Sequence, residues 1–310
     1  MERSEAEALE SVVLAISTFR TAEHVLTLLR SVFANGKTPF LAVVVVDSLG
    51  DGRLATAIGE NGWAVEYHNA DRNLGSAGNL QKRLQIAADL GGRWCYAINH
   101  DGEVDLRAVQ AMVRAGNAGE RIGAVYPNRF RPNRGGSWEK PRRSAVPQLF
   151  SPRLSSQLAV GEEVVWSSSN GALYSLQPQR EGVEVWSDLW MSWEDLGYGL
   201  CLKKGKWRQI VCADATFVDT YEYRKASFLG KTIYVADKPT WYQYYHFRNL
   251  ILIAKRIDGG FNLYLSLFPM LLKDLAAIVL YKSEPLTRLR LLFSGALDGI
   301  RNISGKGPLP

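Results

Sequence analysis

Hydrophobic and polar positions alternate along the first half of the chain with the periods of strands and helices. Two apolar runs, 11–18 and 41–47, have the β-branched composition of buried strands. Between them, apolar residues recur at helical spacing across 21–35. Further strands are predicted at 63–69, 94–99 and 122–127, and the glycine-bearing segment NLGSAGN is predicted to enter a helix that ends at Gly91-Gly92.

Strands that alternate with helices are typical of a mostly parallel sheet covered on both faces. Such sheets bind ligands at the carboxyl ends of their strands. A polar residue follows each of four predicted strands at this edge: Thr18, Asp47, Asn73 and Asp101. We therefore expect an α/β domain over residues 1–230 with its ligand site at the carboxyl edge of the sheet.

The chain changes character in its last quarter. Segment 241–256 is aromatic, then apolar, then basic, and 286–303 is amphipathic. Segment 261–281 is strongly apolar, but a proline and a Lys-Asp pair keep it short of the ~20 uninterrupted apolar residues of a membrane span. We expect residues 231–310 to form helices that pack on the α/β domain or a sister subunit, or lie in a membrane interface. The final SGKGPLP is expected to be frayed.

Charge and composition narrow the class of partner. The chain has 37 basic and 31 acidic residues, a net charge of +6, which suits an anionic ligand, a phosphate-bearing substrate or an acidic membrane surface. No finger, zipper or ribonucleoprotein motif supports nucleic acid as a partner. The three cysteines lack a C-x-x-C pair, which indicates a reducing compartment. The basic segment 129–143 is either a solvated loop or a lid over an anionic ligand.

Six motifs follow one another in a recognisable order between about residues 11 and 210. They are VVLAISTFRTAEHVLTLLRSV, VVVVDSLGDG, NLGSAGNLQKRLQIA, INHDGEVD, SSSNGALYSL and WEDLGYGLCLKKGKW. Together they resemble glycosyltransferase family 2, the nucleotide-sugar transferases of the GT-A fold. The later YYHFRNLILIAKR and GALDGIRNISGKG resemble the bacterial rhamnosyl- and galactofuranosyl-transferase branches. The resemblance implies a Rossmann-like, mostly parallel central sheet flanked by helices, with a C-terminal helical extension.

The resemblance also implies which residues hold the nucleotide sugar. It places the hydroxyl after the first strand and the acid after the second on the nucleotide, and it matches an N-x-G-x-x-x-N turn whose glycine lets the backbone approach the donor. An arginine in YYHFRN would bridge the diphosphate. The residues assigned to the donor are Thr18, Asp47, Asn73, Gly75, Asn79 and Arg248.

The segment INHDG matches the D-x-D region of the family, which makes Asp101 the expected metal ligand. A departing nucleoside diphosphate accumulates negative charge, which Mn²⁺ or Mg²⁺ held by carboxylate and phosphate oxygens would neutralise. Asn99 replaces the first acid of the strict motif. His246 is either a structural residue of its aromatic segment or, as the resemblance implies, a further metal ligand. Glu103 and Asp105 are expected to open the following helix rather than to bind metal.

The pair Glu194-Asp195 in WEDLGYG matches the ED motif of the family. An acceptor hydroxyl is a poor nucleophile until a carboxylate takes its proton, and the resemblance gives Asp195 this general-base role in an inverting transfer. Glu194 would hold the acceptor or the base. Gly197 and Cys201 stand where the family usually has a second acid and an arginine, so the type of acceptor cannot be inferred.

Tryptophans precede this pair at helical spacings. Trp186, Trp190 and Trp193 are either core residues or, for at least one of them, a stacking surface for an acceptor sugar. Gly171, in SSSNGALY, is expected to admit a close approach of donor or acceptor. We assign Trp193, Gly171 and Trp190 to the acceptor side.

These expectations combine into an inverting, metal-dependent glycosyltransferase. The resemblance implies a donor of the UDP-galactofuranose or dTDP-rhamnose type and a glycan or lipid-linked glycan acceptor, in bacterial surface polysaccharide or cell-wall synthesis. It implies a cytoplasmic location at the inner face of the plasma membrane, with a homo-oligomer as a further expectation. One alternative is a non-catalytic nucleotide-sugar- or glycan-binding protein on the same fold. A nucleotide-binding oxidoreductase is disfavoured because G-x-G-x-x-G is missing after the first strand.

Overall fold

The central sheet has the mixed, mostly parallel topology that the alternating pattern predicts. The computed structural model describes residues 9–139, 162–228, 230–257 and 261–307. Within these ranges nine strands form one sheet in the order β3-β2-β1-β4-β8-β5-β9-β7, with β6 paired to β5. The strands are β1 Val12–Thr18, β2 Ala42–Ser48, β3 Val65–Ala70, β4 Trp94–Asn99, β5 Ile122–Arg131, β6 Ser137–Trp138, β7 Glu162–Glu163, β8 Ala172–Ser175 and β9 Arg208–Val218. All five strands predicted from sequence are confirmed.

Helices cover both faces of this sheet. Val13 and Ala15 of β1 belong to one hydrophobic cluster, and Leu14 and Ile16 belong to a second cluster on the opposite face. A strand buried on both faces reads as a continuous apolar run, which is why β1 shows no alternation. The helices are α1 Ala22–Val32, α2 Arg53–Glu60, α3 Gly75–Asp89, α4 Leu106–Asn117, α5 Gln177–Arg180, α6 Glu194–Lys204, α7 Tyr242–Arg256, α8 Phe261–Tyr281 and α9 Pro285–Ile300.

The strand register brings the polar strand ends together. In the parallel pairs, Thr18 lies opposite Asp47, Ser17 opposite Asn99, and Asp47 opposite Asn69. Neighbouring parallel strands that end at one level present their last side chains along a single edge. The predicted carboxyl-edge site therefore has a structural basis.

The C-terminal region shares the core of the α/β domain. A hairpin of β10 (Tyr223–Phe228) and β11 (Lys231–Ala236) leads into α7, whose Phe247 and Leu250 belong to the same hydrophobic cluster as the sheet. A domain boundary at 230/231 would separate the two strands of this hairpin. Within the described residues, no helix combines the length and apolarity needed to cross a bilayer.

Two expectations about irregular segments are resolved in part. The basic segment 129–143 begins as β5 and continues through a short turn into β6, while its last residues, 140–143, lie outside the described ranges. The frayed-tail prediction is wrong for 304–307, because the backbone N–H of Gly305 donates to the carbonyl of Asp188 at 2.5 Å. Residues 308–310 lie outside the described ranges.

Candidate active site

Two adjoining cavities lie at the carboxyl edge of the sheet. The first, which we call the strand-edge pocket, has a volume of about 590 Å³ and is lined by Thr18, Asn73 and Asn79 among others. The second, the acidic pocket, has a volume of about 450 Å³ and contains Asp101 and Asp195. Four residues line both cavities, so the two form one continuous cleft: Ser76, Asn99, Met191 and Glu194.

The floor of the strand-edge pocket holds a buried amide with unused hydrogen-bonding capacity. The Asn79 side chain donates to the carbonyl of Val46 at 3.0 Å and to the hydroxyl of Ser48 at 3.3 Å. Its Oδ1 is buried without a partner among the described residues. Thr18, at the end of β1, shares a 2.8 Å hydrogen bond with Thr21. A buried acceptor beside a cavity is available for a ligand that donates a hydrogen bond.

Asp47 presents a second unsatisfied oxygen at this edge. It is 4% exposed, and its Oδ2 accepts a hydrogen bond from the Tyr67 hydroxyl at 2.9 Å. Its Oδ1 is buried with no partner in the described part of the chain. Burial raises the pKa of this carboxyl, and the Tyr67 hydrogen bond lowers it in part. The next residues, Ser48 and Leu49, line the strand-edge pocket, but the predicted contact of Asp47 with a nucleotide stays a prediction.

The glycine turn that opens α3 is clamped from the opposite side by Trp190. The N–H of Gly75 donates to the side chain of Asn73 at 2.9 Å, and Gly75 has a φ of +67°. A Cβ at position 75 would lie 2.1 Å from the carbonyl oxygen of Trp190. That oxygen accepts from the N–H of Ala77 at 3.1 Å, and the Trp190 indole donates to the Asn73 carbonyl at 3.2 Å. Glycine is therefore required at position 75 by both the backbone angle and the close contact.

Glu194 and Asp195 form the first turn of α6 and face the cleft. The Asp195 Oδ1 accepts a hydrogen bond from the backbone N–H of Leu196 at 2.8 Å. Burial, assisted by the charge of Glu194, raises the pKa of Asp195 to about 8. Burial also raises the pKa of Glu194. A carboxylate with a pKa near neutrality is a stronger base than a solvated one and can take a proton during a reaction.

The turn before this pair has an unusual backbone. Trp190, Ser192 and Trp193 have φ values of 60°, 72° and 65°. Left-handed conformations cost energy in residues other than glycine, and they persist only where the surroundings impose them. This turn joins the glycine clamp at Trp190 to the acids at the start of α6.

Two residues of α7 impose this conformation. The Asn249 amide donates to the carbonyls of Leu189, Met191 and Ser192 at 2.9, 2.7 and 2.9 Å. Beside it, the Arg248 guanidinium donates to the Leu189 carbonyl at 2.9 Å. Asn249 belongs to the YYHFRN motif, but its sequence position gave no sign that it binds a turn 57 to 60 residues away.

The structure overturns the assignment of Arg248 to the diphosphate. The residue is 0% exposed. Its guanidinium also donates to the Gly305 carbonyl at 2.7 Å and to the Asn249 side chain at 3.0 Å. A fully buried guanidinium with these partners cannot reach a ligand in the cleft. Arg248 instead connects the strained turn to the C-terminal tail.

Asp101 and His246, the predicted metal ligands, both line the acidic pocket. Burial lowers the pKa of His246, so its imidazole favours the neutral form that binds metals. Its Nε2 lies 3.5 Å from the carboxylate of Asp274. Across the described ranges, no group of three or more His, Cys, Asp or Glu side chains is placed to hold a metal by itself. A metal at Asp101 would therefore need oxygen ligands from the substrate or from water.

Of the two acids that were predicted to open the helix after Asp101, Asp105 does so. Asp105 caps α4 by accepting the backbone N–H groups of Arg107 and Ala108 at 2.9 and 3.3 Å. This confirms that Asp105 opens the helix. Asn99, the residue that replaces the first acid of the motif, accepts from the Ser17 hydroxyl at 2.8 Å.

The three residues assigned to the acceptor side occupy different places. Trp193 lines the acidic pocket, and its indole donates to the carbonyl of His246 at 2.9 Å. Trp190 lines the strand-edge pocket instead. Gly171 is buried, and a Cβ there would lie 2.3 Å from the ring of Phe217. The close approach that Gly171 allows is therefore to a core ring, which corrects its assignment to the acceptor.

Two cations of the cleft were missed from the sequence. Arg83 is 3% exposed and donates to the carbonyls of Ala15 and Ile98 at 3.0 and 3.1 Å, beneath the strand-edge pocket. Lys238 lines the acidic pocket with its ammonium 4.0 Å from the centre of the Tyr221 ring. Arg83 lies in the NLGSAGNLQKRLQIA segment of α3, where the sequence gave it no role, and Lys238 follows β11 outside the quoted motifs.

One wall of the acidic pocket is a network of alternating charges. Arg129 and Arg131 both pair with Glu139, at 3.2 and 2.8 Å. Both arginines also pair with Asp219, at 3.5 and 3.1 Å. The network begins the segment that the sequence assigned to a solvated loop or lid. Because its two arginines are satisfied by carboxylates, this part of the segment is a fixed wall.

The chain resembles known proteins in structure but not in sequence. No protein-family profile matches the chain, and no curated protein matches it by sequence. Solved structures do match. TarS 1-349 from S. aureus superposes with a TM-score of 0.58 and 13% identity over 94% of this chain and 81% of TarS 1-349. The chain has a GT-A-like fold.

Two other solved structures support the same fold. A mannosyltransferase from Pyrobaculum calidifontis, in complex with GDP-Man and Mn²⁺, matches with a TM-score of 0.54 and 14% identity over 94% of this chain and 87% of its own. GalNAc-T7, with UDP, GalNAc and Mn²⁺, matches with a TM-score of 0.58 and 12% identity over 79% of this chain and 47% of its own. At such identities the likeness concerns the fold.

Proposed function

We propose that this chain is an inverting glycosyltransferase that moves a sugar from a nucleotide-sugar donor to an acceptor hydroxyl. The observation that carries the proposal is the position of the Glu194-Asp195 pair. Glu194 lines both pockets, and Asp195 lines the acidic pocket beside it. A base in one cavity, directly beside the junction with the other, can act on an acceptor in the first while the donor occupies the second.

The strand-edge pocket is the proposed donor site. Thr18, Asn73 and Asn79 line it, and the unpaired Oδ1 of Asn79 is an acceptor for a hydroxyl or N–H group of a nucleoside. Asp47, which precedes the lining residue Ser48, is the proposed second acceptor. Two proteins with this fold hold nucleotide sugars, UDP-GlcNAc in TarS 1-349 and GDP-Man in the mannosyltransferase. A donor of the UDP-galactofuranose or dTDP-rhamnose type follows from the sequence resemblance.

The reaction uses Asp195 as the base. Its carboxylate removes the proton of an acceptor hydroxyl as that oxygen attacks the anomeric carbon of the donor. The bond from this carbon to the diphosphate breaks on the opposite face, so one glycosidic bond forms and the anomeric configuration inverts. Glu194, next to it, orients the acceptor, and its negative charge keeps Asp195 basic.

Mn²⁺ or Mg²⁺ is the proposed cofactor, with Asp101 and His246 as ligands from the chain. The metal would neutralise charge on the departing diphosphate. Because the described residues include no group of three or more His, Cys, Asp or Glu that could hold a metal, phosphate oxygens of the donor would supply further ligands. Mn²⁺ is present with two of the structures that share the fold.

The C-terminal helices present an apolar face for which we propose an anionic membrane surface. Exposed side chains on α8 and α9 recur at spacings of three, four and seven residues, and we call them the apolar face: Leu265, Phe268, Leu272, Val279, Leu286, Phe293, Leu297 and Ile300. The exposed Arg290 lies in the same stripe of α9. At a membrane such an arginine can extend its guanidinium to pair with lipid phosphates. A lipid-linked glycan acceptor would suit this location.

A screen of nucleotide sugars tests the proposed function. The full-length protein is incubated with UDP-, GDP- and dTDP-sugars, with Mn²⁺ or with EDTA, and both thermal stabilisation and nucleotide release are measured. We expect at least one nucleotide sugar to stabilise the protein and to release nucleotide only with the metal. Stabilisation by NAD without stabilisation by any nucleoside diphosphate would favour an oxidoreductase. Binding without turnover on any acceptor tested would favour the non-catalytic alternative.

A further inference from the structure

The C-terminal tail is docked against the cleft by backbone contacts. The N–H of Gly305 donates to the carbonyl of Asp188, and the Gly305 carbonyl accepts from Arg248 at 2.7 Å. Two residues later, the N–H of Gly307 donates to the hydroxyl of Tyr245 at 2.8 Å. These contacts fix the backbone on both sides of Lys306.

Both flanking glycines are required by their surroundings. Gly305 has a φ of +83°, a conformation that side chains disfavour. A Cβ on Gly307 would lie 2.5 Å from the ring of Tyr244. The two glycines therefore let the backbone pass close to α7. Between them, Lys306 is the residue whose side chain extends away from this backbone.

Lys306 projects into the strand-edge pocket. It is among the residues that line the cavity, and its ammonium lies 5.9 Å from the centre of the Trp190 ring. Trp190 also contacts the turn of Asn73 and Gly75. The ion pairs between described residues do not include Lys306, so its charge is available to a ligand.

We propose that Lys306 binds the diphosphate of the nucleotide-sugar donor. This inference rests on the proposed function and deepens it, because it assigns the phosphate-binding role that buried Arg248 cannot fill. A lysine ammonium is a mobile point charge that pairs with phosphate oxygens without a fixed geometry. The same tail contacts Asp188, which lies just before the turn that leads to Glu194-Asp195, and Arg248, which donates a hydrogen bond to that turn. Donor binding and the position of the catalytic pair thereby share one set of contacts.

Calorimetry on full-length variants tests this proposal. UDP, GDP and dTDP are titrated into the wild type, and the tightest of them is compared with its monophosphate. Lys306→Met keeps the aliphatic stem and removes the charge, and we expect it to weaken diphosphate binding about tenfold while changing monophosphate binding less than about twofold. Lys306→Arg should retain diphosphate binding within about threefold. Lys37→Met, which removes the charge of an exposed lysine outside the pocket lining, should bind as the wild type does.

The outcomes separate this proposal from the proposed function. Wild-type binding of a diphosphate together with unchanged binding by Lys306→Met would overturn the role of Lys306 alone. Equal weakening of diphosphate and monophosphate would also overturn it, since a general loosening of the tail would have that effect. Failure of the wild type to bind any of the three diphosphates would overturn both proposals.

Discussion

The side-chain amide of Asn249 donates to the carbonyl oxygen of Met191 at 2.7 Å, and through this contact helix α7 holds the turn that precedes Glu194 and Asp195. The same amide reaches the carbonyls of Leu189 and Ser192. Ser192 and its neighbours adopt left-handed backbone angles that no glycine relieves. The geometry of the site therefore depends on a residue that need not touch substrate.

Replacing Asn249 with alanine should slow catalysis by displacing Glu194 and Asp195, without removing a reacting group. The carbonyls of Met191 and Ser192 would lose the amide donor, while that of Leu189 keeps Arg248, and the loss should lower the free energy of unfolding by about 2–3 kcal/mol. Relaxation of the turn should lower kcat on the order of 100-fold with a smaller effect on nucleotide binding. Denaturant unfolding and steady-state kinetics measure the two effects. The control is Asn61→Ala, which removes an exposed amide directly after α2 and should leave kcat unchanged.

Gly75→Ala should weaken donor binding as well as stability. The added Cβ would meet the carbonyl oxygen of Trp190, and the backbone has a φ of +67°. Gly62→Ala is a matched control, because Gly62 has a φ of +64° with open space around its Cβ position. We expect both variants to lose about 1–2 kcal/mol from the left-handed angle, and Gly75→Ala alone to weaken nucleotide binding about tenfold. Equal nucleotide affinity in the two variants would contradict the clamp at Trp190.

The pKa of Asp195 sets the expected pH dependence. The base must be ionised to take a proton, and the pKa of Asp195 is raised to about 8. As pH rises towards that value the ionised fraction grows, so kcat/KM should increase about tenfold per pH unit and level off above about pH 8. Because the charge of Glu194 contributes to this raised pKa, Glu194→Gln should shift the rising limb to lower pH. A limb that stays in place in Glu194→Gln would contradict the coupling of the two acids.

The apolar face should determine whether the protein binds membranes. Phe268 and Phe293 are 66% and 54% exposed, and replacing both with serine should reduce flotation with anionic vesicles about tenfold or more. Phe228→Ser is the matched control, since Phe228 is 49% exposed on the β10–β11 hairpin. If the wild type does not float but sediments as a dimer that the double variant dissociates, the face is a self-association surface instead.

Much of the scaffold could be predicted because it depends on local patterns. Buried parallel strands read as apolar runs, and the parallel register then brings Thr18, Asp47 and Asn99 to one edge. The cap at Asp105 is likewise local, since it bonds residues two and three positions ahead. The strands and the cap are each set by neighbouring residues, and the parallel register of the α/β pattern supplies the rest of this edge.

The rest of the site depends on contacts that no local pattern records. The amide of Asn249 and the backbone of Gly305 both bind the 188–193 turn, although they are far from it in sequence. Neither hydrophobic periodicity nor a sequence motif indicates such contacts. Gly171 shows the converse error. A glycine in a polar motif looked accessible to substrate, but the space beside it is filled by Phe217.

The most direct test of the central claim compares sugar transfer by the wild type and by Asp195→Asn, with the nucleotide sugar that binds tightest. The amide keeps the shape of the side chain but cannot take a proton from the acceptor. We expect transfer to fall on the order of 10³-fold while nucleotide-sugar affinity stays within about threefold of the wild type. Transfer by Asp195→Asn at the wild-type rate would contradict the assignment of Asp195 as the base.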